Sequence, residues 1–211
     1  MDKTALESNS EKCFQTYTGK KFYLFDPEPE SICIEDIAHA LSMKCRFGGH
    51  STQFYSVAQH SILVSLCLEI RGASDREQSD MLPLFGLLHD AAEAYIPDFI
   101  GTVKHSFGAV NNGTVWTIKA LEHTINTAIF NHLNIPMPNG DDTKRVENAD
   151  LSVLITEAEQ VTFKSFEWVS LPGIEPFSFK ISPWTPGLSE ERFLHFYHRL
   201  TRLMEEKIKC P

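Results

Sequence analysis

A chain of 211 residues with 42% hydrophobic and 11% aromatic content has enough apolar material for one large domain with a dense core. Its formal net charge of −9 argues against a nucleic-acid partner, because phosphate backbones are met by clustered Lys and Arg. Cys13, Cys33, Cys45, Cys67 and Cys210 form an odd set with no C-x-x-C pair, so neither a disulfide framework nor a cysteine zinc knuckle is indicated, and reduced thiols in a cytoplasm are expected.

Residues 1–12 are charged and aperiodic and read as a flexible start, leaving 13–211 as a single domain. They contain no apolar signal-peptide core, and no run long enough to span a bilayer follows. Phe14 to Tyr17 and Phe22 to Phe25, separated by Gly19-Lys20, predict a short hairpin that ends at Asp26-Pro27-Glu28-Pro29. From Ile34, the spacing of Ile37, Ala38, Leu41 and Cys45 predicts a helix ending near Arg46 to Gly49. Ser56 and Gln59 form a capping-box pattern opening a helix to about Ile70, with His60 in its first turns. A polar loop over 71–79 leads into the apolar run Leu82 to Leu88, whose helix is expected to continue through His89, Asp90 and Glu93 to Pro97.

Beyond a segment to Lys104 and a Gly/Asn-rich loop from Gly108 to Gly113, an amphipathic helix is predicted from about Thr114 to Leu133. Pro136, Pro138 and Gly140 stop it. The next helix, about Thr143 to Phe163, sets Asp150 among Val146, Leu151, Leu154 and Ile155. Leu171 to Pro186 reads as an ordered irregular wrap, because Phe177, Phe179, Ile181 and Trp184 call for burial. Ser189 then caps a last helix carrying Phe193, Phe196, Tyr197, Leu200, Leu203 and Met204. The fold class is mostly α with a minor N-terminal hairpin.

Three predicted helices thus present polar groups where the pattern expects core: His60, the pair His89-Asp90, and Asp150. On a continuous helix Glu93 stacks one turn beyond His89. Burying such groups unpartnered costs several kcal/mol for a carboxylate. A divalent cation would compensate them, and nitrogen-and-carboxylate sets suit such ions. Taken singly, each residue reads more readily as a satisfied core histidine, a cap or a buried hydrogen-bond partner than as a ligand.

The order His60, His89-Asp90, Asp150 resembles the H…HD…D signature of the HD-domain phosphohydrolase superfamily, a helical fold with a divalent metal in its core. The wording Arg46-Phe47-Gly48-Gly49-His50, Tyr55-Ser56-Val57-Ala58-Gln59-His60-Ser61 and Leu88-His89-Asp90-Ala91-Ala92-Glu93-Ala94-Tyr95 is similar to the 5'-deoxynucleotidase branch, which includes phage-type dATP triphosphohydrolases. The likeness spans roughly Asp36 to Glu157. It implies an HD-type helical bundle and assigns the metal ligands to His60, His89, Asp90 and Asp150. It further implies Glu93 as acid/base and Asp98 as a second catalytic carboxylate, although Pro97-Asp98-Phe99-Ile100 departs from the branch's usual glycine-aspartate-leucine-proline.

Arg46 and Lys104 match phosphate contacts, Phe47 stands where the branch places a nucleoside-facing tryptophan, and His50 approaches the substrate from the same loop. One divalent transition metal per chain is implied (Co²⁺, Mn²⁺, Zn²⁺ or Fe²⁺, with Mg²⁺ compatible). The implied reaction is attack of a metal-activated water on the α-phosphate of a 2'-deoxynucleotide, a small-molecule substrate. Phosphate removal from a monophosphate and triphosphate removal from a dNTP stay open, with adenine suggested by the phage-type members. The branch also implies a homo-oligomer, a dimer or higher even-numbered assembly, in a cytoplasm (a host's, for a phage source). The alternative is a metal-stabilised scaffold that binds a nucleotide as a regulatory signal without turnover. His123 and His132 lie about 180° apart on one helix and do not suit a shared second ion; with His105 they are expected to be surface or packing residues. Glu157, two turns past Asp150, is expected to support the ligands or to pair with a cation.

Overall fold

A computed structural model describes residues 13–72, 79–99, 104, 106–163 and 173–209. Strands β1 (Cys13–Gln15) and β2 (Lys21–Tyr23) pair antiparallel with Phe14 opposite Phe22. Gly19, at φ 87°, supplies the left-handed turn residue. Phe22 is fully buried and stacks on Tyr95 at 3.9 Å between ring centroids. The Thr18 amide and hydroxyl both donate to Asp36, at 2.6 and 2.8 Å, fixing the hairpin to helix α1 (Ile34–Met43).

Helix α2 (Val57–Gly72) is buried on nearly every side from Val57 to Ser65, as expected of a helix at the centre rather than on the surface. Around it pack α1, α3 (Leu82–Leu88), α5 (Gly140–Val161) and α6 (Pro186–Lys209). All seven residues of α3 are buried. Gly86 permits its close approach to α2, since a Cβ there would lie 2.6 Å from Leu68 Cδ1 and 3.3 Å from the Ser65 backbone.

Five expectations need correction. The stretch Gly108 to Gly113 is not a plain loop, and Thr114 does not open a helix. Strands β3 (Gly108–Asn111) and β4 (Thr114–Thr117) form a second hairpin, and helix α4 runs Ile118–His132 with the Thr117 hydroxyl as its cap. Asn112 and Gly113 both have positive φ, 48° and 78°, the pair of conformations that a two-residue hairpin turn requires. Gly140 does not end a helix but begins α5, under a complete capping box between Asn139 and Asp142. Ser189 is buried inside α6 rather than capping it, and its hydroxyl meets that of Ser56 at 3.0 Å. The helix through the central stretch stops at Leu88, for a reason given below.

The irregular wrap is present over 173–185. Side chains of the helices hold its backbone: Gln160 meets the carbonyl of Phe179 and the amide of Ile181, Gln59 meets the carbonyl of Ser182 and the amide of Trp184, and the Thr156 hydroxyl receives the Phe177 amide. Gln59 is thereby diverted from its half of the capping box, while its amide still binds Ser56 Oγ at 3.1 Å. Among the described residues no helix is long and apolar enough to cross a membrane. The flexible start over 1–12, positions 73–78 of the polar loop, Ile100, His105, Leu171, Pro172 and Cys210 lie outside the described residues.

Candidate metal centre

His60 lies in the second turn of α2, fully buried. His89 keeps helical dihedrals at the end of α3, but Asp90 turns to φ −99°, ψ 17°, and the chain tightens into a 3-10 turn, Ala91–Ala94. The side chain of His89 competes for the helix's own acceptor at this point. Its Nδ1 donates to the carbonyl of Gly86 at 2.8 Å, the acceptor that the Asp90 amide would claim in a continuing α-helix. In the tighter turn residues three apart eclipse, so Glu93 sits over Asp90 rather than over His89. The expected helical stacking of His89 and Glu93 is corrected accordingly.

The three elements converge. His60 Nε2 lies 3.3 Å from His89 Nε2 and 3.0 Å from Asp150 Oδ1, and His89 Nε2 lies 3.9 Å from the same oxygen. His60, His89 and Asp150 form a group that could hold a metal ion, one ligand atom from each, all within 4.8 Å of one another. Asp90 Oδ2 adjoins the group, 3.1 Å from His89 Nε2 and 3.8 Å from His60 Nε2. The donor set fits an ion: with each Nδ1 donating to its own acceptor, both Nε2 atoms present lone pairs to a common point.

Behind His60 stands Glu157, wholly buried. Its Oε1 accepts from His60 Nδ1 at 2.8 Å and from the Tyr55 hydroxyl at 2.7 Å, and its Oε2 lies 3.2 Å from Arg46 Nε. That last contact is an ion pair without hydrogen-bond alignment, since neither atom has a directed partner. Arg46 also reaches Asp90 Oδ2, at 3.7 Å from its NH1. Burial disfavours its charge, but Glu157, Asp150, Asp90 and Asp98 outweigh burial and hold it protonated. Phe47, at φ 56°, occupies a left-handed conformation unusual for a bulky residue; the Arg46 guanidinium 5.6 Å from its ring centroid and its packing on the core help to hold it there.

Glu93 is buried, with Oε2 unpartnered. Burial, Asp90 and Asp98 push its carboxyl well above the usual range, against the opposing pull of Arg46 and Lys104. Asp98 is half-buried and raised by burial, with Arg46 acting against Asp90. Lys104 is engaged by Glu122 at 2.5 Å, within electrostatic reach of Asp90 and Glu93. His50 is exposed at the end of the Arg46–Gly49 turn and does not join the cluster. His123 is exposed and His132 half-buried.

Sequence reasoning overlooked Lys44 and Tyr55. Tyr55 was legible only as a member of the motif around Ser56. Lys44 carries no sequence signal, because a lysine at a helix end is ordinarily solvated. Here its Nζ donates to the main-chain carbonyls of Glu93 and Ile96, the second at 2.7 Å.

The chain is 32% identical over 192 residues to the "Uncharacterized protein YfdR" of Escherichia coli (strain K12), covering 90% of this chain and 96% of that protein. The chain belongs to the YfdR family. The "Uncharacterized protein RCAP_rcc00048" of Rhodobacter capsulatus is 34% identical over 147 residues, 68% of this chain and 70% of that protein. No protein-family model matches the chain.

An ion bound at this cluster of the YfdR-family chain would be taken up in exchange for protons. Burial and Arg46 lower the His60 pKa, but Glu157 and Asp150 prevail and raise it from 6.5 to about 9. An ion needs the neutral imidazole, so uptake releases that proton. The His89 imidazole is raised as well, Asp90 and Asp150 prevailing over burial and His60, so apparent affinity is expected to rise by at least about tenfold per pH unit towards pH 9 and then to level off. The linkage to stability has the opposite sign after chelation: a raised folded pKa contributes stability that is complete below pH 6.5 and lost as pH rises through about 9. Titration calorimetry in buffers of differing ionisation enthalpy, with melts of chelated and loaded protein, checks both slopes. An affinity independent of pH from 6.5 to 9 would contradict them.

Proposed function

We propose that the protein is an HD-type, metal-dependent phosphohydrolase acting on 2'-deoxynucleotides. The observation that carries this reading is the meeting of His60, His89 and Asp150, with Asp90 alongside and a buried, partly unpartnered Glu93 on the adjoining turn. The H…HD…D resemblance of the sequence supplies the reaction class.

His60, His89, Asp90 and Asp150 would hold the ion, which supplies Lewis acidity and a nucleophile at neutral pH. Water adds to the α-phosphorus, the bond from phosphorus to the 5' oxygen breaks, and a proton passes to the departing oxygen. Glu93 is the group for that proton, taking it from the water and yielding it to the 5' oxygen. Arg46 keeps the cluster's carboxylates from repelling one another and, with Lys104, offsets phosphoryl charge. Phe47 offers an aromatic face to the nucleoside. Glu157 holds the His60 ring so that Nε2 faces the ion.

The test is a panel of dNMPs and dNTPs, each with Co²⁺, Mn²⁺, Zn²⁺, Fe²⁺ or Mg²⁺ and with chelator. Metal-dependent release of inorganic phosphate from a dNMP, or of triphosphate from a dNTP, is expected. No product across the panel would remove the enzyme reading. The rival, a nucleotide-binding regulatory scaffold, draws on one observation: Arg46 and Lys104 are already engaged by this chain's own carboxylates. Nucleotide binding without turnover would favour it.

A further inference from the structure

We propose that Lys44 is a positioning residue that holds the Glu93 and Asp98 carboxyl groups beside the metal-competent cluster by donating to the main-chain carbonyls of Glu93 and Ile96. This rests on the phosphohydrolase reading for its catalytic consequence, though not for its structural one. The segment Lys44–Arg46 is the point where three parts of the site are tied together. Its backbone pairs with the entry to α2, through Arg46 N to Tyr55 O at 2.9 Å and Val57 N to Lys44 O at 3.1 Å, one turn before His60. Its Arg46 side chain reaches Glu157 and Asp90. The Lys44 ammonium reaches the far side of the turn that carries Glu93.

The end of a helical turn leaves carbonyls without intrahelical donors, and a lysine can satisfy them. A cap serving that purpose alone would sit in solvent. Lys44 is instead half-buried, and burial lowers its pKa to about 8 against the pull of Glu93 and Asp98, the charged groups that face it. A charge is held there at a cost, and the cost falls where two carboxylates must be kept close to Asp90. Its two acceptors bracket residues 93–96, so they fix both where Glu93 leaves the turn and where the chain enters Pro97-Asp98.

Lys44→Met and Lys44→Arg, compared with wild type, provide the test. In Lys44→Met, amide exchange at Glu93, Tyr95 and Ile96 is expected to rise by about tenfold or more while α2 stays protected. Metal bound per chain is expected to be unchanged. Turnover is expected to fall about tenfold or more with KM within about threefold. Lys44→Arg keeps the charge and the donors and should restore protection and most of the turnover. Unchanged exchange in Lys44→Met, or exchange that rises equally throughout α2 with loss of metal, would overturn the proposal. If Lys44→Met does not fold, Lys44→Leu, which likewise removes both the donors and the charge, is read in the same way. Absence of hydrolysis in the wild type would defeat the phosphohydrolase reading and leave the exchange measurements to decide this one.

Discussion

On the proposed phosphohydrolase reading, Glu93→Gln should lower deoxynucleotide hydrolysis by about 10²–10⁴-fold, the usual contribution of a positioned acid/base, while the folded protein becomes no less stable. The two effects have one origin. Glu93 is buried with Oε2 unpartnered, next to Asp90 and Asp98. Its folded pKa is raised above 4.5, so as pH rises past that value the unfolded chain ionises first and stability falls. Glutamine keeps the shape and removes the ionisation, so it abolishes that decline together with the proton transfer. Opposite movement of activity and stability is the mark of a group kept for chemistry rather than for folding. The ligands are untouched, so metal content should equal that of the wild type. Single-turnover rates, melts from pH 4.5 to 8 and metal analysis measure the three quantities. Equal rates in the two proteins would strip Glu93 of its role.

The helices of the core were legible because their apolar residues recur at helical spacing. α1, α2 and α5 fall close to their predicted ranges. The misreadings share a physical cause: short-range chemistry overruled periodicity. The Asn112-Gly113 pair marks a hairpin turn more strongly than Thr114 to Thr117 marks a helix, and the two positive φ values at that pair decide it. At His89 a side chain binds the carbonyl that helix continuation would also use, which no hydropathy pattern records.

The site divides along the same line. Each of its principal members could be named from motif order, since His60, His89 and Asp150 replace expected core residues. What surrounds them is set by folded geometry. Glu157 was visible as a residue two turns beyond Asp150, yet its three partners, His60, Tyr55 and Arg46, come from distant sequence. Arg46 was assigned to phosphate from its motif; the fold shows it only 8% exposed and committed to Glu157 and Asp90. Its first duty is therefore internal.

That duty gives the second large effect. Arg46→Met should destabilise the protein by about 3–5 kcal/mol, the cost of breaking a buried ion pair from one side. Burial opposes the Glu157 charge, and Arg46, followed by His60 and Tyr55, holds its carboxyl below the usual range. A lowered folded pKa contributes stability that is present above 4.5 and is lost as pH falls through the folded value. The gap between wild type and Arg46→Met should accordingly be full at neutral pH and shrink in acid, where Glu157 takes up a proton. Adding Glu157→Gln should recover part of the loss, because the wholly buried carboxylate that Arg46 paired with is gone; a double-mutant cycle in denaturant measures the coupling. Removing the guanidinium also leaves Asp90 and Asp150 less balanced, so a divalent ion should stabilise Arg46→Met more than wild type at equal free concentration. Additive losses in the cycle, with identical responses to metal, would show that Arg46 packs in the core without governing its charges.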